Sequence, residues 1–558
     1  MVTMKPYNRR QFCLWVLLSI SALSVVQTSR VVADDINAAN FELQQLRKQR
    51  RRAVHRQRRL IFNNDGNSIV YTHQDKPITG DALLADRTTP LVGTHVDAVF
   101  YCPWNVSLVR CTHISSVTEP FYANTGIFAK NQTRAFHEQG LDPLRLMVDF
   151  CRQQGIEIFM SMRMNDIHDA YPQWPEMLSV FKKEHPHLLF GSRANPPAYG
   201  FWSGLDYGQP EVRDRAFQIL EDVCRRYDVD GIQLDWLRHP PHFRCSAQGL
   251  DCTPRELDIM NQFQRRVRDM TERIGLKRDR PILIAARLPA SIECCAALGL
   301  DVRHWLEHDL VDMLNPGEFE LSPWNEWVEL GHQHDVPVYP CLTWSWSRRR
   351  EGPPGTEENL ALRNFRARAM NVWQAGADGI HVFNLFDPQS SLWREIGDPQ
   401  VLAKLDKDYF PDGFSWFLTG RHIRDPLRFL TLPTSLGLRH PVRLEPTQPY
   451  TIKMTMSEVD VGPAAASEET AGDPTVTLSL LIEGLQDADG LQVRLNDNSL
   501  VDGKMHASWV RYRASFDWFS TGLNSIRVIN GHSADNSGHA SGIVLQDVHL
   551  QFDYPDQD

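Results

Sequence analysis

One strand-like run in the sequence, Gly-Ile-Gln-Leu-Asp, ends in the carboxylate of Asp235. Period-two alternation directs Ile232 and Leu234 to one face and Gln233 and Asp235 to the other. In a parallel barrel the carboxyl end of such a strand lies at the mouth, where these folds build their active sites. Asp235, with Arg238 three residues later, is therefore our first candidate for a reactive carboxylate. The structural alternative is a salt bridge that closes the top of the barrel.

Cleavage of a glycosidic bond requires a second carboxyl group, because one group donates a proton while the other acts as nucleophile or base. Other predicted strand ends carry the candidates: Asp166 and Asp169 after the third strand, Glu318 and Glu320 after the sixth, and Asp387 after the eighth. The seventh strand ends in Thr-Trp-Ser-Trp and offers no carboxylate. We choose Glu318 as the proton donor, because the longer arm of a glutamate reaches further across a barrel mouth. Its alternative role is to shape the turn after the preceding Pro-Gly pair.

Polar and aromatic residues follow most of the predicted strands, and we expect them to bind a carbohydrate. Amide, guanidinium and carboxylate groups hydrogen-bond to hydroxyl groups, while indole faces stack on sugar rings. The candidates are Asn64, Asp65, Arg163, Asn165, Asp166, Arg238, Arg287, Trp344, Asn384 and Asp387. Each has a structural alternative when taken alone, and Arg163 could simply neutralise Asp166.

The sequence predicts neither a metal site nor a cofactor. Barrel amidohydrolases carry a His-x-His pair on the first strand, where this chain has asparagines. The pairs His304/His308 and His332/His334 do not lie at predicted strand ends, so we interpret them as surface histidines. No Gly-x-Ser-x-Gly motif for a serine nucleophile occurs in the sequence, and no glycine-rich phosphate loop follows the first strand.

Eight short β-rich runs alternate with amphipathic helices between about residues 60 and 400, as in βα units of a parallel sheet. The predicted strands are Leu60–Asn64, Val96–Cys102, Ile156–Met162, Gly231–Trp236, Pro281–Ala286, Leu310–Asn315, Val336–Cys341 and Gly379–Asn384. Helices are predicted from Pro143 to Gly155, after the capping box that begins at Thr253, and from Thr356 to Gly376. Eight strands with crossover helices predict an α/β fold, a closed (β/α)₈ TIM barrel.

The composition changes after about residue 400, where short alternating runs are separated by Asn- and Gly-rich turns. This pattern predicts a small antiparallel β-sandwich after the barrel. The predicted organisation is a signal peptide over 1–33, a basic arm over 34–57, the barrel over 58–432, a linker over 433–449 and the β-sandwich over 450–558.

The N-terminal residues and the net charge of the chain limit where the protein is expected to be located and what it is expected to bind. Basic residues precede an apolar stretch from Cys13 to Val26, and Val-Val-Ala at residues 31–33 provides a cleavage site. The Arg9-Arg10 pair also resembles a twin-arginine signal. The apolar stretch is too short to span a bilayer, so we expect no stable membrane span after its removal. The formal net charge of −10 argues against nucleic acid as a partner.

Four segments together resemble a glycosyl-hydrolase-like barrel family of bacterial exported proteins, over roughly residues 58 to 400: 62–66 (Phe-Asn-Asn-Asp-Gly), 162–166 (Met-Arg-Met-Asn-Asp), 230–235 (Asp-Gly-Ile-Gln-Leu-Asp) and 382–384 (Val-Phe-Asn). The Asp-Gly-Ile-x-Leu-Asp-Trp segment is also similar to the fourth strand of α-galactosidase-type barrels. In that group the second aspartate is the nucleophile, and the resemblance implies this role for Asp235. The acid of that group lies on the sixth strand, as Glu318 does, although it is an aspartate there.

These observations predict an exported glycoside hydrolase of the bacterial periplasm or extracellular space, with a two-carboxylate retaining mechanism and a poly- or oligosaccharide substrate. A carbohydrate-binding barrel with a lapsed active site is the alternative, and it needs no second carboxyl group near Asp235. A sugar isomerase or lyase would require a metal or a basic residue in the mouth. A carboxyl separation of about 5 Å indicates a retaining enzyme, and about 6.5–9.5 Å an inverting one.

Overall fold

The computed structural model describes residues 40–71, 76–348, 351–411, 421–434, 436, 440–458, 473–531 and 543–555, except for the side chains of Ala290 and of residues 318–320. The predicted signal peptide and the first residues of the basic arm lie outside these ranges. Among the helices within them, none has the length and apolar character needed to cross a membrane.

Eight parallel strands close into a barrel, as predicted from the alternation of strands and helices. In order around the barrel they are β1 (Leu60–Asn64), β2 (Val96–Tyr101), β5 (Glu157–Arg163), β6 (Gly231–Asp235), β7 (Leu283–Ala290), β8 (Met313–Glu320), β9 (Cys341–Thr343) and β10 (Ile380–Phe383). A two-residue ribbon, β3 (Arg110–Cys111) with β4 (Glu119–Pro120), lies in the loop after β2. The prediction of a (β/α)₈ barrel is confirmed.

Amphipathic helices cover the outside of the barrel because their apolar stripes match the outward residues of the strands. The helix over residues 40–54 is α1. The others are α2 (Gly80–Ala85), α3 (Thr133–Glu138), α4 (Pro143–Gln154), α5 (Val180–Glu184), α6 (Pro210–Arg226), α7 (Arg244–Ala247), α8 (Pro254–Arg278), α9 (Ile292–Ala297), α10 (Val302–Glu307), α11 (Trp324–Gln333), α12 (Trp344–Ser347), α13 (Leu360–Gln374), α14 (Leu392–Glu395) and α15 (Pro399–Leu402). The predicted capping box is present, because Thr253 and Glu256 exchange hydrogen bonds at the start of α8.

The basic run after the predicted signal forms α1, and its arginines pair with acids of the barrel. Arg47 Nε lies 2.8 Å from Glu272, and the buried Arg50 lies 3.6 Å from Asp312. This run therefore packs against the barrel near its N-terminal end, because Asp312 directly precedes β8.

The barrel interior is built in layers by the period-two alternation of its strands. The N-terminal end holds a buried ion pair of Arg58 and Glu157, with Nε to Oε2 at 2.5 Å. An apolar layer follows, containing Ile61, Ala98, Phe100, Phe159, Leu283, Ala285 and Met313. Two residues further along, the interior becomes polar: Gln233 contacts Ser161, Asn315 and His381. The prediction that Gln233 points inward follows from the same alternation and is confirmed by these contacts.

Two antiparallel sheets follow the barrel. The six-stranded sheet contains β11 (Lys407–Tyr409), β12 (Val442–Leu444), β14 (Thr475–Glu483), β17 (Lys504–His506), β18 (Trp509–Ala514) and β20 (Ile543–Asp553). The four-stranded sheet contains β13 (Pro449–Met456), β15 (Leu491–Leu495), β16 (Asn498–Leu500) and β19 (Gly522–Asn530). Apolar residues of both sheets share one buried cluster. The strand β11 lies within the segment predicted as barrel, yet it pairs with β20.

The Arg58–Glu157 pair is expected to stabilise the N-terminal end of the barrel. Both side chains are buried, so Glu157→Gln leaves an uncompensated guanidinium and should lower the free energy of unfolding by about 3 kcal/mol. Glu221→Gln removes a more exposed carboxylate that pairs with Arg225 and Arg273, and it should cost at most about 1 kcal/mol. Denaturant unfolding of both variants measures the difference. Equal losses of unfolding free energy in the two variants would show that the buried pair stabilises the protein no more than the exposed pair does.

Candidate functional site

Asp235 lies at the mouth of the barrel, at the end of β6, as alternation predicts. Its carboxylate is only 3 % exposed. Oδ2 accepts a hydrogen bond from Arg287 Nη1 at 2.9 Å, and Oδ1 accepts one from the backbone N–H of Arg238 at 3.0 Å. Both donors fix the orientation of the carboxylate.

Arg287 comes from the neighbouring strand β7, where it is level with Asp235 in the strand register. Its guanidinium is fully buried and stacks on the ring of Phe383, with 3.9 Å from Cζ to the ring centroid. The Cζ of Arg238 lies 5.6 Å from the same centroid. Phe383 was not among the predicted site residues, although it follows His381 by two residues on β10 and so shares its inward face.

A second ion cluster lies on the other side of Asp235 and joins β1 to β5. Arg163, which is level with Asp235 in the strand register, donates to Asp65 Oδ1 at 2.6 Å. A longer contact of 3.3 Å joins Arg163 Nη1 to Asp166 Oδ2. Burial alone would raise the pKa of Asp65, but the guanidinium of Arg163 outweighs it and, with Arg238, holds this pKa below the usual range. Arg163 was predicted to neutralise Asp166, and in the structure it contacts both Asp166 and Asp65.

Asp166 also contacts two histidines from different loops. His168 Nδ1 lies 2.7 Å from Asp166 Oδ2, and His239 Nδ1 lies 3.9 Å from the same oxygen. In the part of the chain that the structure describes, these three residues are the one group whose ligand atoms lie close enough together, within 4.8 Å of one another, to hold a metal ion. No pattern in the sequence points to His239, because the conformation of the loop after β6 decides where this residue lies.

Two predicted binding residues face away from the mouth. Asn64 donates to Thr88 Oγ1 at 3.4 Å and accepts from the backbone N–H of Gly66. Asn165 is fully buried and donates to the carbonyl groups of Leu205 and Pro241. Both amides thus hold loops in place around the mouth.

Three further predicted residues lie along the rim formed by the ends of β9 and β10. Trp344 is half-buried and packs edge-on against Phe365 of α13 at a centroid distance of 5.8 Å. Asn384 has a positive φ of 60° and donates to Ser345 Oγ at 3.2 Å. Asp387 is exposed and accepts from the backbone N–H of Gln389.

The predicted proton donor Glu318 lies in β8, two strands from Asp235, and its side chain lies outside the described part of the structure. The backbone at this point departs from regular alternation. Gly317 has a φ of 105°, and the β7–β8 register shifts between Leu288 and Ala290. A Cβ at Gly317 would lie 2.8 Å from the Trp324 ring and 3.0 Å from the carbonyl oxygen of Cys341, so both the conformation and the packing require glycine.

Sequence and structure comparisons find partial similarity to known proteins. The family model described as "Glycosyl hydrolase-like 10" matches residues 121–248, which include β5 and β6. This match confirms the resemblance to a glycosyl-hydrolase-like family over that part of the barrel. No curated protein sequence matches the chain significantly.

Several solved glycoside hydrolase structures are similar to the chain at low identity. The glycoside hydrolase domain of PgaB (BpsB) from Bordetella bronchiseptica is 12% identical with a TM-score of 0.37, over 62% of this chain and 99% of that chain. A variant of the GH36 alpha-galactosidase AgaA from Geobacillus stearothermophilus is 10% identical with a TM-score of 0.35, over 85% and 56%. A Paenibacillus sp. cycloisomaltooligosaccharide glucanotransferase is 9% identical with a TM-score of 0.32, over 89% and 57%. The chain spans little more than half the length of the last two proteins.

The pairing of Asp65 with Arg163 predicts a pH-dependent contribution to stability. Because the folded-state pKa of Asp65 is lowered, its stabilisation is fully present above the unfolded-state pKa of about 3.9 and is lost as the pH falls further. We expect Asp65→Asn to lower the free energy of unfolding by about 3 kcal/mol at pH 7, and by less below about pH 4.

The matched control is Asp387→Asn, because Asp387 is exposed and asparagine can keep its hydrogen bond to Gln389. Its effect on stability should be small at every pH. Denaturant unfolding between pH 3 and pH 7 measures both variants. A deficit of Asp65→Asn that is the same at pH 3 and pH 7 would refute the ion-pair interpretation.

Proposed function

We propose that this protein is an exported glycoside hydrolase that cleaves a poly- or oligosaccharide by a two-carboxylate, retaining mechanism. Asp235 is the nucleophile and Glu318 the proton donor. The observation that carries the proposal is the position of Asp235: a buried carboxylate at the mouth end of the fourth barrel strand, held between a guanidinium and a backbone N–H. The match of residues 121–248 to a glycosyl-hydrolase-like family supports the same reaction class.

A nucleophilic carboxylate must be ionised and correctly oriented when the sugar arrives. Arg287 supplies the positive charge at 2.9 Å, and the stacking of Arg287 on Phe383 holds that charge in place. Burial of Asp235 and Arg287 excludes bulk water, which strengthens the electrostatic stabilisation of the charge that develops in an oxocarbenium-like transition state.

The proton donor must reach the opposite side of the glycosidic bond. Adjacent strands lie about 4.8 Å apart, so the backbones of β6 and β8 are separated by roughly 10 Å. Two side chains that approach each other across this gap can bring their carboxyl groups to the separation of about 5–5.5 Å that a retaining mechanism needs. This spacing favours a donor on β8 over one on β10, which lies four strands from β6.

The remaining mouth residues form the proposed sugar-binding surface. Asp65, Arg163 and Asp166 provide charged hydrogen-bonding groups on the β1–β5 side. Arg238, Trp344, Asn384 and Asp387 surround the β6, β9 and β10 side. Asn64 and Asn165 support this surface through the loops that they hold.

A carbohydrate-binding barrel without catalysis is the second candidate. The observation that favours it is that both oxygens of Asp235 already accept hydrogen bonds, from Arg287 and from the backbone of Arg238. A carboxylate held in this way can close the top of the barrel without taking part in bond cleavage. This candidate predicts sugar binding without bond cleavage.

Reducing-sugar release from a panel of polysaccharides, together with aryl glycosides, separates the two carboxylate roles. Asp235→Asn should abolish the release from both kinds of substrate, because no nucleophile remains. Glu318→Gln should reduce cleavage of natural linkages by roughly 100- to 10,000-fold, but it should affect aryl glycosides with good leaving groups much less. Circular dichroism verifies that both variants fold.

The control is Asp228→Asn, because Asp228 lies at the N-terminal end of β6, away from the mouth, and is exposed. This variant should keep full activity. Unchanged sugar release by Asp235→Asn would refute the assignment of the nucleophile. Sugar binding with no release by the unaltered protein would establish the second candidate.

A further inference from the structure

The group formed by Asp166, His168 and His239 is a second cluster at the barrel mouth, beside the proposed nucleophile. Asp166 and His168 follow β5, and His239 follows β6. The rings of His168 and His239 meet edge to face with 4.8 Å between their centroids. Asp166 is fully buried, whereas the histidine side chains remain 20% and 18% exposed. The cluster therefore has a buried carboxylate at its base and two imidazoles at the solvent side.

His239 is held in a conformation that an ordinary loop histidine would avoid. Its φ is 61°, in the left-handed region. Among the described residues, its buried Nδ1 has no hydrogen-bond partner. The same Nδ1 lies 3.9 Å from Asp166 Oδ2.

The loops that carry the cluster are fixed by a surrounding shell of hydrogen bonds. Asp166 Oδ1 accepts from the backbone N–H groups of His168 and Ser107, which leaves Oδ2 toward the histidines. The loop of His239 is tied down by Asn165, which donates to the Pro241 carbonyl at 2.9 Å. Outer hydrogen bonds of this kind orient the ligands of metal ions in proteins.

We propose that Asp166, His168 and His239 bind one divalent cation of the zinc class, with Asp166 Oδ2 and one nitrogen of each imidazole as its ligands. Bonds of about 2.0–2.2 Å around a tetrahedral ion place neighbouring ligand atoms about 3.3 Å apart. The contacts of 2.7 Å and 3.9 Å to Asp166 Oδ2 bracket this value, so small side-chain rotations suffice. The cation takes the place of the hydrogen bond between Asp166 Oδ2 and His168 Nδ1.

The ligand set and the local charge select the kind of ion. Two imidazoles and one carboxylate favour zinc, cobalt or nickel over magnesium and calcium, which prefer oxygen ligands. Arg163 lies 3.3 Å from Asp166 Oδ2, and its repulsion lowers the affinity for any cation. Asp65, which accepts from Arg163 at 2.6 Å, partly compensates this charge. With three protein ligands, the ion keeps an open position on the solvent side, as in zinc sites that bind a ligand.

The site goes beyond the proposed glycosidase mechanism, which uses no metal. It shares Asp166 with the proposed sugar-binding surface, and the Met164 N–H joins its loop to the Asp235 carbonyl at 3.1 Å. An ion here would hold a hydroxyl or an anionic group of a ligand in the same mouth. Metal binding and sugar release are separate measurements, so either proposal can fail without the other.

Zinc binding to the full-length protein tests the proposal. The protein is treated with a chelator, exchanged into metal-free buffer and titrated with Zn²⁺ by calorimetry, with metal analysis after dialysis. We expect one equivalent of zinc to bind, and Co²⁺ in its place to give the visible absorption of a low-symmetry site. Excess Mg²⁺ should not displace the zinc.

His239→Asn is the decisive variant, because asparagine tolerates the left-handed backbone of residue 239 but lacks the imidazole. It should weaken zinc binding at least 100-fold while circular dichroism stays unchanged. His168→Gln is the second variant, should the first fail to fold, and it should have the same effect. Asp235→Asn should keep the zinc equivalent.

The matched control removes another histidine pair, His304 and His308, whose rings stack at 3.8 Å on α10 and at its end. The double variant His304→Ala/His308→Ala should bind zinc as the unaltered protein does. The proposal is overturned if the unaltered protein binds no zinc, if His239→Asn binds it equally well, or if the control variant loses it.

Discussion

The mouth of this barrel depends on buried charges from different strands that compensate one another. Asp65, Arg163, Asp235 and Arg287 come from the ends of β1, β5, β6 and β7, and each acid contacts an arginine within 3 Å. None of these side chains could stay buried alone, because an uncompensated charge in the interior costs several kcal/mol. These four residues form a ring of alternating negative and positive charges at the mouth. This charged ring stabilises the mouth and fixes the orientation of its carboxylates.

The layers beneath make this arrangement possible. Below the ring, Gln233 links Ser161, Asn315 and His381, and below that an apolar layer fills the barrel. Water is thus excluded from the underside of the charged ring, so its ion pairs act in a low-dielectric medium. A ligand therefore reaches the reactive groups only through the mouth of the barrel.

Much of this architecture is visible in the sequence, because parallel strands are short apolar runs with strict alternation. Each of the eight predicted runs overlaps a barrel strand, although the seventh does so only at Cys341, and alternation placed Asp235 on the inner face. The same rule also places Phe383, two residues beyond His381, on the inner face of β10. Regular alternation ends at Gly317, which adopts a positive φ close to the point where the β7–β8 register shifts, so alternation makes no prediction for Glu318.

What the sequence could not reveal is contact between residues of different loops. His239 reaches Asp166 only because the loop after β6 turns back over the mouth, with a left-handed residue and anchoring by Asn165. No repeating pattern of residues in the sequence predicts the course of such a loop. The strand β11 is a similar case, because a three-residue strand joins β20 by pairing over a long sequence distance.

Trapping of the covalent intermediate tests the central role of Asp235 most directly. The protein would be incubated with activated 2-deoxy-2-fluoro glycosides of the sugars that it releases, and its peptides analysed by mass spectrometry. A retaining nucleophile at the end of β6 predicts one sugar adduct on the peptide that contains Asp235, and no adduct in Asp235→Asn. An adduct on another carboxylate, or turnover of the matching sugar with no trapped intermediate, would contradict this account.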